Sequence, residues 1–180
     1  GDMLWNEIID DTWTLFLDRD GVINKRIVDG YVTRWEAFEF LPGVLEALRV
    51  FSQRFNHIVL VTNQQGVGKG LMTDADLESI HDAMMGCVEA EGGRIDVILC
   101  CTQLASEPDN YRKPNPDMAF MAQEIFPDID LAKSVMVGDG QTDIEFGRNA
   151  GMQTIFIGGQ NADADDCFPS LFEFSKSLKA

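Results

Sequence analysis

The sequence predicts an α/β fold of three layers, a central parallel sheet with helices on both faces, and three observations carry that prediction. Five apolar runs of strand length recur at Trp13–Leu17, His57–Val61, Val97–Cys101, Ser134–Val137 and Thr154–Ile157. Segments of helical period separate them, and strand–helix alternation builds parallel sheets that are buried on both sides. Three of the runs lead into Asp18, Thr62 and Asp139. Ligands in such sheets bind beyond the carboxyl ends of the strands, so all three residues are expected on one edge.

The elements follow in order. Pro42 suits a first helical position, with Val44, Leu45, Leu48 and Phe51 then falling on one face. Thr73 can cap the next helix, with Asp76 three residues on to complete a capping box. Asn115-Pro116 reads as an N-cap and first helical residue, leading a stripe of Met118, Met121, Ala122 and Ile125. The last core helix is expected from about Thr142 to Ala150, stopping at Gly151. Residues 22–41 depart from the pattern. They are rich in aromatic and β-branched residues without helical period, and Asp29-Gly30 is a hairpin signal. A short β-flap over the site is expected there. After Gly159 an acidic stretch, Asn161–Asp166, precedes a C-terminal helix at about 168–178 that sets Leu171, Phe174 and Leu178 on one side.

At 180 residues the chain fits one domain, 1–180, with its core at about 13–158, and is long enough to bury that core. Its formal net charge of -16 repels nucleic-acid backbones and anionic membranes, so neither partner is expected. No apolar run reaches membrane-spanning length, and Gly1-Asp2-Met3-Leu4-Trp5 lacks the basic and apolar regions of a signal peptide. Cys87, Cys100, Cys101 and Cys167 show no framework spacing, which predicts reduced thiols and a cytoplasmic location. A monomer is expected.

Four short segments carry the chemistry: Asp18-Arg19-Asp20-Gly21-Val22, Thr62-Asn63-Gln64, Arg112-Lys113-Pro114, and Gly138-Asp139 with Asp143 beyond it. Each alone has an ordinary explanation as a turn, a strand exit, a solvated lysine or a helix cap. Together they supply what phosphoryl transfer needs. A carboxylate such as Asp18 can attack phosphorus and form an aspartyl-phosphate. A second, such as Asp20, can protonate the leaving alkoxide and then deprotonate water. Two close carboxylates repel, which Mg²⁺ would relieve, with Asp139 as a third oxygen ligand. The Thr62 hydroxyl can hold phosphoryl oxygens, and Lys113 can neutralise developing charge. Two other motifs fail. An EF-hand reading of Asp18–Asp20 lacks the glutamate at the twelfth loop position. Gln65–Gly70 imitates a P-loop, but Gly70 stands where Ser or Thr should meet Mg²⁺, so a flexible cationic loop beside the phosphate site is expected instead. His57 and His81 have no metal-spaced partners and read as structural or surface residues.

At these residues the chain resembles the haloacid dehalogenase superfamily, whose four motifs match in order over roughly residues 13–158. Asp18–Asn24, Gly30-Tyr31-Val32, Thr62–Gly66 and Arg112–Pro114 look like the branch of histidinol phosphatases and D,D-heptose 1,7-bisphosphate phosphatases. The resemblance implies a Rossmann-like fold, Mg²⁺ dependence and hydrolysis of a small phosphorylated metabolite. It implies Asp18 as nucleophile and Asp20 as general acid/base, with catalytic support from Thr62 and Lys113. The metal would then be held by Asp18, Asp139 and the backbone carbonyl of Asp20. Asp143 becomes an organiser behind these ligands, and Asn63, Gln64 and Arg112 become substrate contacts. The flap and first helix fill the interval from Asp18 to Thr62, and no room is left before Lys113, so no cap domain is expected.

Two positions depart from that branch. Many of its members bind a structural zinc, but here only Cys101 stands at a ligand position, with Gln103, Asp109 and Tyr111 at the other three, so no zinc is expected. Gly140 follows Asp139 where the branch commonly carries a cation. Heptose 1,7-bisphosphate is the first candidate substrate, with a histidinol phosphatase and a polynucleotide 3′-phosphatase as alternatives; the acidic charge opposes the last. A phospho-receiver switch uses similar residues, but places its phosphorylated aspartate after a middle strand and lacks an acid two residues on.

Overall fold

Six parallel strands form the centre of the molecule, in a computed structural model that describes residues 3–178. They are β1 Thr14–Leu17, β2 His57–Asn63, β3 Val97–Cys101, β4 Ser134–Gly138, β5 Gln153–Ile157 and β6 Asp166–Phe168. Their order across the sheet is β3-β2-β1-β4-β5-β6. The chain starts in the middle, builds outward to β3, and returns to β1 from the other side with β4. That reversal makes β1/β4 the topological switch point, where an open parallel sheet leaves a crevice at the strand ends. Leu17 of β1 is in register with Leu60 of β2 and Val137 of β4, so Asp18 emerges between two strands that run on past that register, β4 by one residue to Gly138 and β2 by three to Asn63.

Strand alternation divides the core into two layers. Leu15, Leu17, Ile58, Leu60, Val135 and Val137 face one cluster, while Phe16, Val59, Val61 and Met136 face the other. The first cluster is closed by α2 Val44–Arg54, α4 Asp74–Ala90 and α7 Leu171–Lys176, the second by α5 Asp117–Ile125 and α6 Gln141–Ala150. Both faces of the strands are buried, hence their near-continuous apolar runs. The expected three-layer α/β/α fold is the observed one.

Several boundaries differ from expectation. The segment 22–41 contains no strand. Its two ends pair through Lys25 N–H to Glu39 O and Leu41 N–H to Ile23 O, but between them the chain runs through a turn at Asp29 (φ 55) and a 3₁₀ turn, Trp35–Ala37. Trp35, Phe38 and Phe40 stack on one another instead of alternating across a ladder. The aromatic content that suggested strands makes a hydrophobic plug under an irregular loop. Helix α2 begins at Val44 after a left-handed Gly43, so Pro42 lies in the preceding turn. Pro116, not Asn115, is the N-cap of α5.

The expected flexible loop at Gln65–Gly70 begins as one helical turn, α3 Gln65–Gly68. A Cβ on Gly68 would meet the Thr102 carbonyl at 2.4 Å, so this glycine serves close packing. Two elements escaped the sequence reading: α1 Trp5–Ile8 and β6, which lies at the end of the acidic stretch. They pin each other, for Trp5 Nε1 donates to Asp166 Oδ2 at 2.7 Å. The expectation about a leader rests on Gly1 and Asp2 as well, which lie outside the described residues. Among the described residues no helix is long and apolar enough to cross a membrane. The four cysteines are free thiols.

Candidate active site

Asp18 leaves β1 with its N–H on Val137 O at 3.0 Å, carrying the backbone pairing with β4 one residue past the end of β1. Its Oδ1 accepts from Lys113 Nζ at 2.8 Å. The same ammonium donates to Asp143 Oδ1 at 2.7 Å and Val61 O at 2.8 Å, so all three of its donors are used. Lys113 is fully buried; burial opposes its charge, but Asp143 and Asp18 more than offset this and raise its pKa. Asp143 lies in the first turn of α6, and its Oδ2 accepts from Gly140 N–H at 3.1 Å. Burial, and then the charge of Asp18, push the Asp143 carboxyl up to about 7.

Asp139, just past β4, is pushed up to about 6 by burial and by Asp18. Oxygens of Asp18, Asp139 and Asp143 lie within 4.8 Å of one another. Three converging carboxylates, all oxygen donors, fit a hard divalent cation. Close packing holds this geometry. A Cβ on Gly21 (φ +87) would come within 1.8 Å of Asp139 Oδ2, and one on Gly138 within 2.1 Å of Asp143 Cβ.

Asp20 is held by a different set of partners. Its Oδ1 accepts from Arg19 Nη2 and Asn24 Nδ2, both at 2.9 Å, and its Oδ2 from Gln64 Nε2 at 3.1 Å. Burial raises its pKa, but the Arg19 charge and the three hydrogen bonds outweigh that and hold it below the ordinary carboxylate value. Its carboxylate is outside the three-oxygen set, while its side chain lines the cavity.

Comparison with known proteins is decisive here. Residues 110–170 match the family model for HAD-hydrolase-like proteins. D-glycero-alpha-D-manno-heptose-1,7-bisphosphate 7-phosphatase of Mycobacterium bovis is 39% identical over 173 residues, covering 92% of this chain and 91% of that one. The chain belongs to the haloacid dehalogenase (HAD) family. Within it, the beta-anomer 7-phosphatase of Rhodopseudomonas palustris is 32% identical, covering 82% and 84% of the two chains. The crystal structure of D,D-heptose 1,7-bisphosphate phosphatase from B. bronchiseptica, complexed with magnesium and phosphate, superposes with a TM-score of 0.84 at 29% identity. It covers 92% of this chain and 97% of its own.

Against that HAD frame, the expected residues divide. Asp18, Asp20, Asn63, Arg112, Lys113 and Asp143 line one cavity of about 610 Å³. Thr62 and Gln64 are buried behind it, with Gln64 Nε2 donating to Thr62 Oγ1 at 2.8 Å. Gln64 was expected to contact substrate, yet its amide is spent bracing Asp20 and Thr62. Asn63 exchanges two hydrogen bonds with the backbone of Lys113, at 3.0 and 3.1 Å, which locks the Arg-Lys-Pro segment to the end of β2. Arg112 Nη1 is buried and has no hydrogen-bond partner among the described residues.

Other residues had no individual role in the sequence reading, although His81 read as structural or surface and Lys69 as part of a cationic loop beside the site. Arg19 is fully buried between Asp20 and His81, whose Nε2 lies 3.1 Å from Arg19 Nη1. His81 had a signal: it falls on the buried stripe of α4 with Leu77, Ile80, Met84 and Val88. Arg26, Ile27, Asp29, Tyr31 and Lys69 line the outer cavity. Arg26 Nη2 donates to both oxygens of Asp139 at 3.1 Å. Gln103 Oε1 accepts from the Cys101 thiol and from Tyr111 N–H.

Proposed function

We propose that this HAD phosphatase hydrolyses a small phosphorylated sugar, D-glycero-D-manno-heptose 1,7-bisphosphate first among candidates, with Mg²⁺ and through an aspartyl-phosphate. The observation that carries the reading is Asp18 at the β1/β4 switch point, hydrogen-bonded to a buried Lys113 and facing two further carboxylates. Relatives named for the heptose reaction, at 32% to 39% identity over most of the chain, support the substrate.

Asp18 and Asp139, with the backbone carbonyl of Asp20, would hold the Mg²⁺. Bound there, the ion supplies charge neutralisation of the phosphoryl oxygens. Lys113 holds Asp18 in place and offsets the charge of the incoming group. Asp18 attacks phosphorus; the bond to the leaving alkoxide breaks as Asp20 gives that oxygen its proton. The resting Asp20 carboxylate gains this proton as the anionic substrate raises its pKa. Asp20 then takes a proton from water, whose oxygen attacks phosphorus and breaks the bond to Asp18, releasing phosphate. Thr62 contributes its hydroxyl to a phosphoryl oxygen, and Gln64 orients both Thr62 and Asp20. Asp143, with one oxygen on Lys113 and the other on Gly140, keeps the ammonium aimed. Arg112 offers its unpartnered Nη1 to substrate, and Asn63 holds Arg112's segment in register. We read the Cys101–Gln103–Tyr111 hydrogen bonds as a replacement for the branch's zinc, which leaves Mg²⁺ as the metal.

Asp18→Asn is expected to lower Mg²⁺-dependent hydrolysis of p-nitrophenyl phosphate by about 10³-fold or more, with an unchanged circular dichroism spectrum. Retained activity would overturn the nucleophile assignment. A panel holding both heptose bisphosphate anomers and histidinol phosphate tests the substrate; histidinol phosphate as the best substrate would overturn it.

A further inference from the structure

Arg26 stands on the loop over the site, its side chain 56% exposed, and donates to both oxygens of Asp139. Asp139 is the carboxylate assigned above to Mg²⁺, so two cations compete for one ligand. A dication on Asp139 displaces a half-exposed guanidinium and repels it at short range. The surroundings limit where a displaced Arg26 can go. Lys69, Arg112 and Lys113 line the same cavity, as does Asp29 of the same loop. Lys113 has no donor left to give. Arg112 Nη1 is unpartnered, and Lys69 Nζ lies 5.3 Å from the centre of the Tyr31 ring. Among the described residues neither Lys69 nor Arg112 has a carboxylate partner. Lys69 and Arg112 are therefore cations held by no ion pair among the described residues, in a cavity that Asp18, Asp20, Asp29 and Asp143 also line. Gly140, next to Asp139, puts no side chain in the way: a Cβ there would meet nothing closer than 3.5 Å.

We propose that Arg26 is a metal-released clamp, paired with Asp139 in the metal-free site and turned by Mg²⁺ onto the second anionic group of a bis-phosphorylated sugar. The assignment rests on the phosphatase reading above and adds a coupling to it: the metal frees the residue that recognises the far end of the substrate.

The test compares wild type, Arg26→Gln and Arg26→Lys in two measurements. The first is calorimetric titration of Mg²⁺ into the substrate-free proteins. Arg26→Gln is expected to bind Mg²⁺ about threefold more tightly, since a half-exposed competing charge is gone. Arg26→Lys, which keeps the charge on a more strongly hydrated ammonium, should fall between them. The second is KM with Mg²⁺ for heptose 1,7-bisphosphate and for p-nitrophenyl phosphate. In Arg26→Gln the KM for the bisphosphate should rise about tenfold more than that for the monoester. Unchanged or weaker Mg²⁺ binding overturns the proposal, as does an equal KM rise on both substrates. The first measurement needs no turnover, so the clamp is judged even if the heptose substrate proves wrong. Loss of p-nitrophenyl phosphate hydrolysis in Asp18→Asn judges the phosphatase reading separately.

Discussion

His81 and Arg19 are joined end to end inside the protein, and the pair explains how a fully buried guanidinium is tolerated beside Asp20. Burial, then the neighbouring Arg19 charge, push the His81 pKa down to about 4, so the ring is neutral and Nε2 can accept from Arg19. Arg19 Nε already lacks a partner. His81→Ala would orphan Nη1 as well and is expected to destabilise the protein by about 1–3 kcal/mol, read by urea denaturation. A loss under about 0.5 kcal/mol would mean that the contact carries no weight. Little of this was legible in the sequence. Asp18 and Asp20 could be read as a pair because residues two apart on extended chain share a direction. The same rule turns Arg19 away from them without naming its partner, which lies 62 residues on. Gln64 shows the same limit: beside Thr62 it reads as a substrate contact, and only the folded chain shows its amide donors on Asp20 and Thr62.

Helix α4 was predicted from its cap, and the structure contains both halves of that capping box. Asp76 N–H donates to Thr73 Oγ1 at 3.0 Å, and Thr73 N–H to Asp76 Oδ2 at 2.9 Å. Thr73→Ala should lower Tm by about 2–4 °C in a thermal melt, the loss expected for one N-cap. An unchanged Tm would mean that tertiary packing alone sets the start of α4. Caps and strands were legible because their signals are local. The flap was not, for its aromatic residues pack against one another where strand periodicity would have spread them over two faces. Elements α1 and β6 are too short to carry a periodic signal and are joined by a contact spanning 161 residues.

For the whole molecule, the site's carboxylates couple stability to pH and metal. Asp143 and Asp139 titrate in the fold near about 7 and about 6, raised from 3.8 by burial and by Asp18. A raised carboxyl means that the native state binds more protons, so this contribution is full below the unfolded value and lost as pH rises through the folded ones. Asp20, whose pKa is lowered, acts oppositely: its contribution is present above 3.8 and lost as pH falls through its folded value. A Mg²⁺ ion held by Asp18 and Asp139 would have to displace the proton of Asp139 at low pH and would meet a free carboxylate there at high pH. The rise in Tm on adding Mg²⁺ should therefore be several degrees larger at about pH 8 than at about pH 5. An equal rise at both would place the ion elsewhere. The sequence by itself determined the fold class and the sheet edge at which Asp18 and Asp139 meet. Strand runs and the residues that end them are neighbours in the chain, and a parallel sheet brings such ends to one edge whatever the loops do. Only the tertiary structure decided which atoms those residues use: Asp20 held by Arg19, Asn24 and Gln64, Lys113 shared by Asp18 and Asp143, and Arg26 on Asp139. Most of those partners lie tens of residues apart, and only the folded backbone brings them within hydrogen-bonding distance.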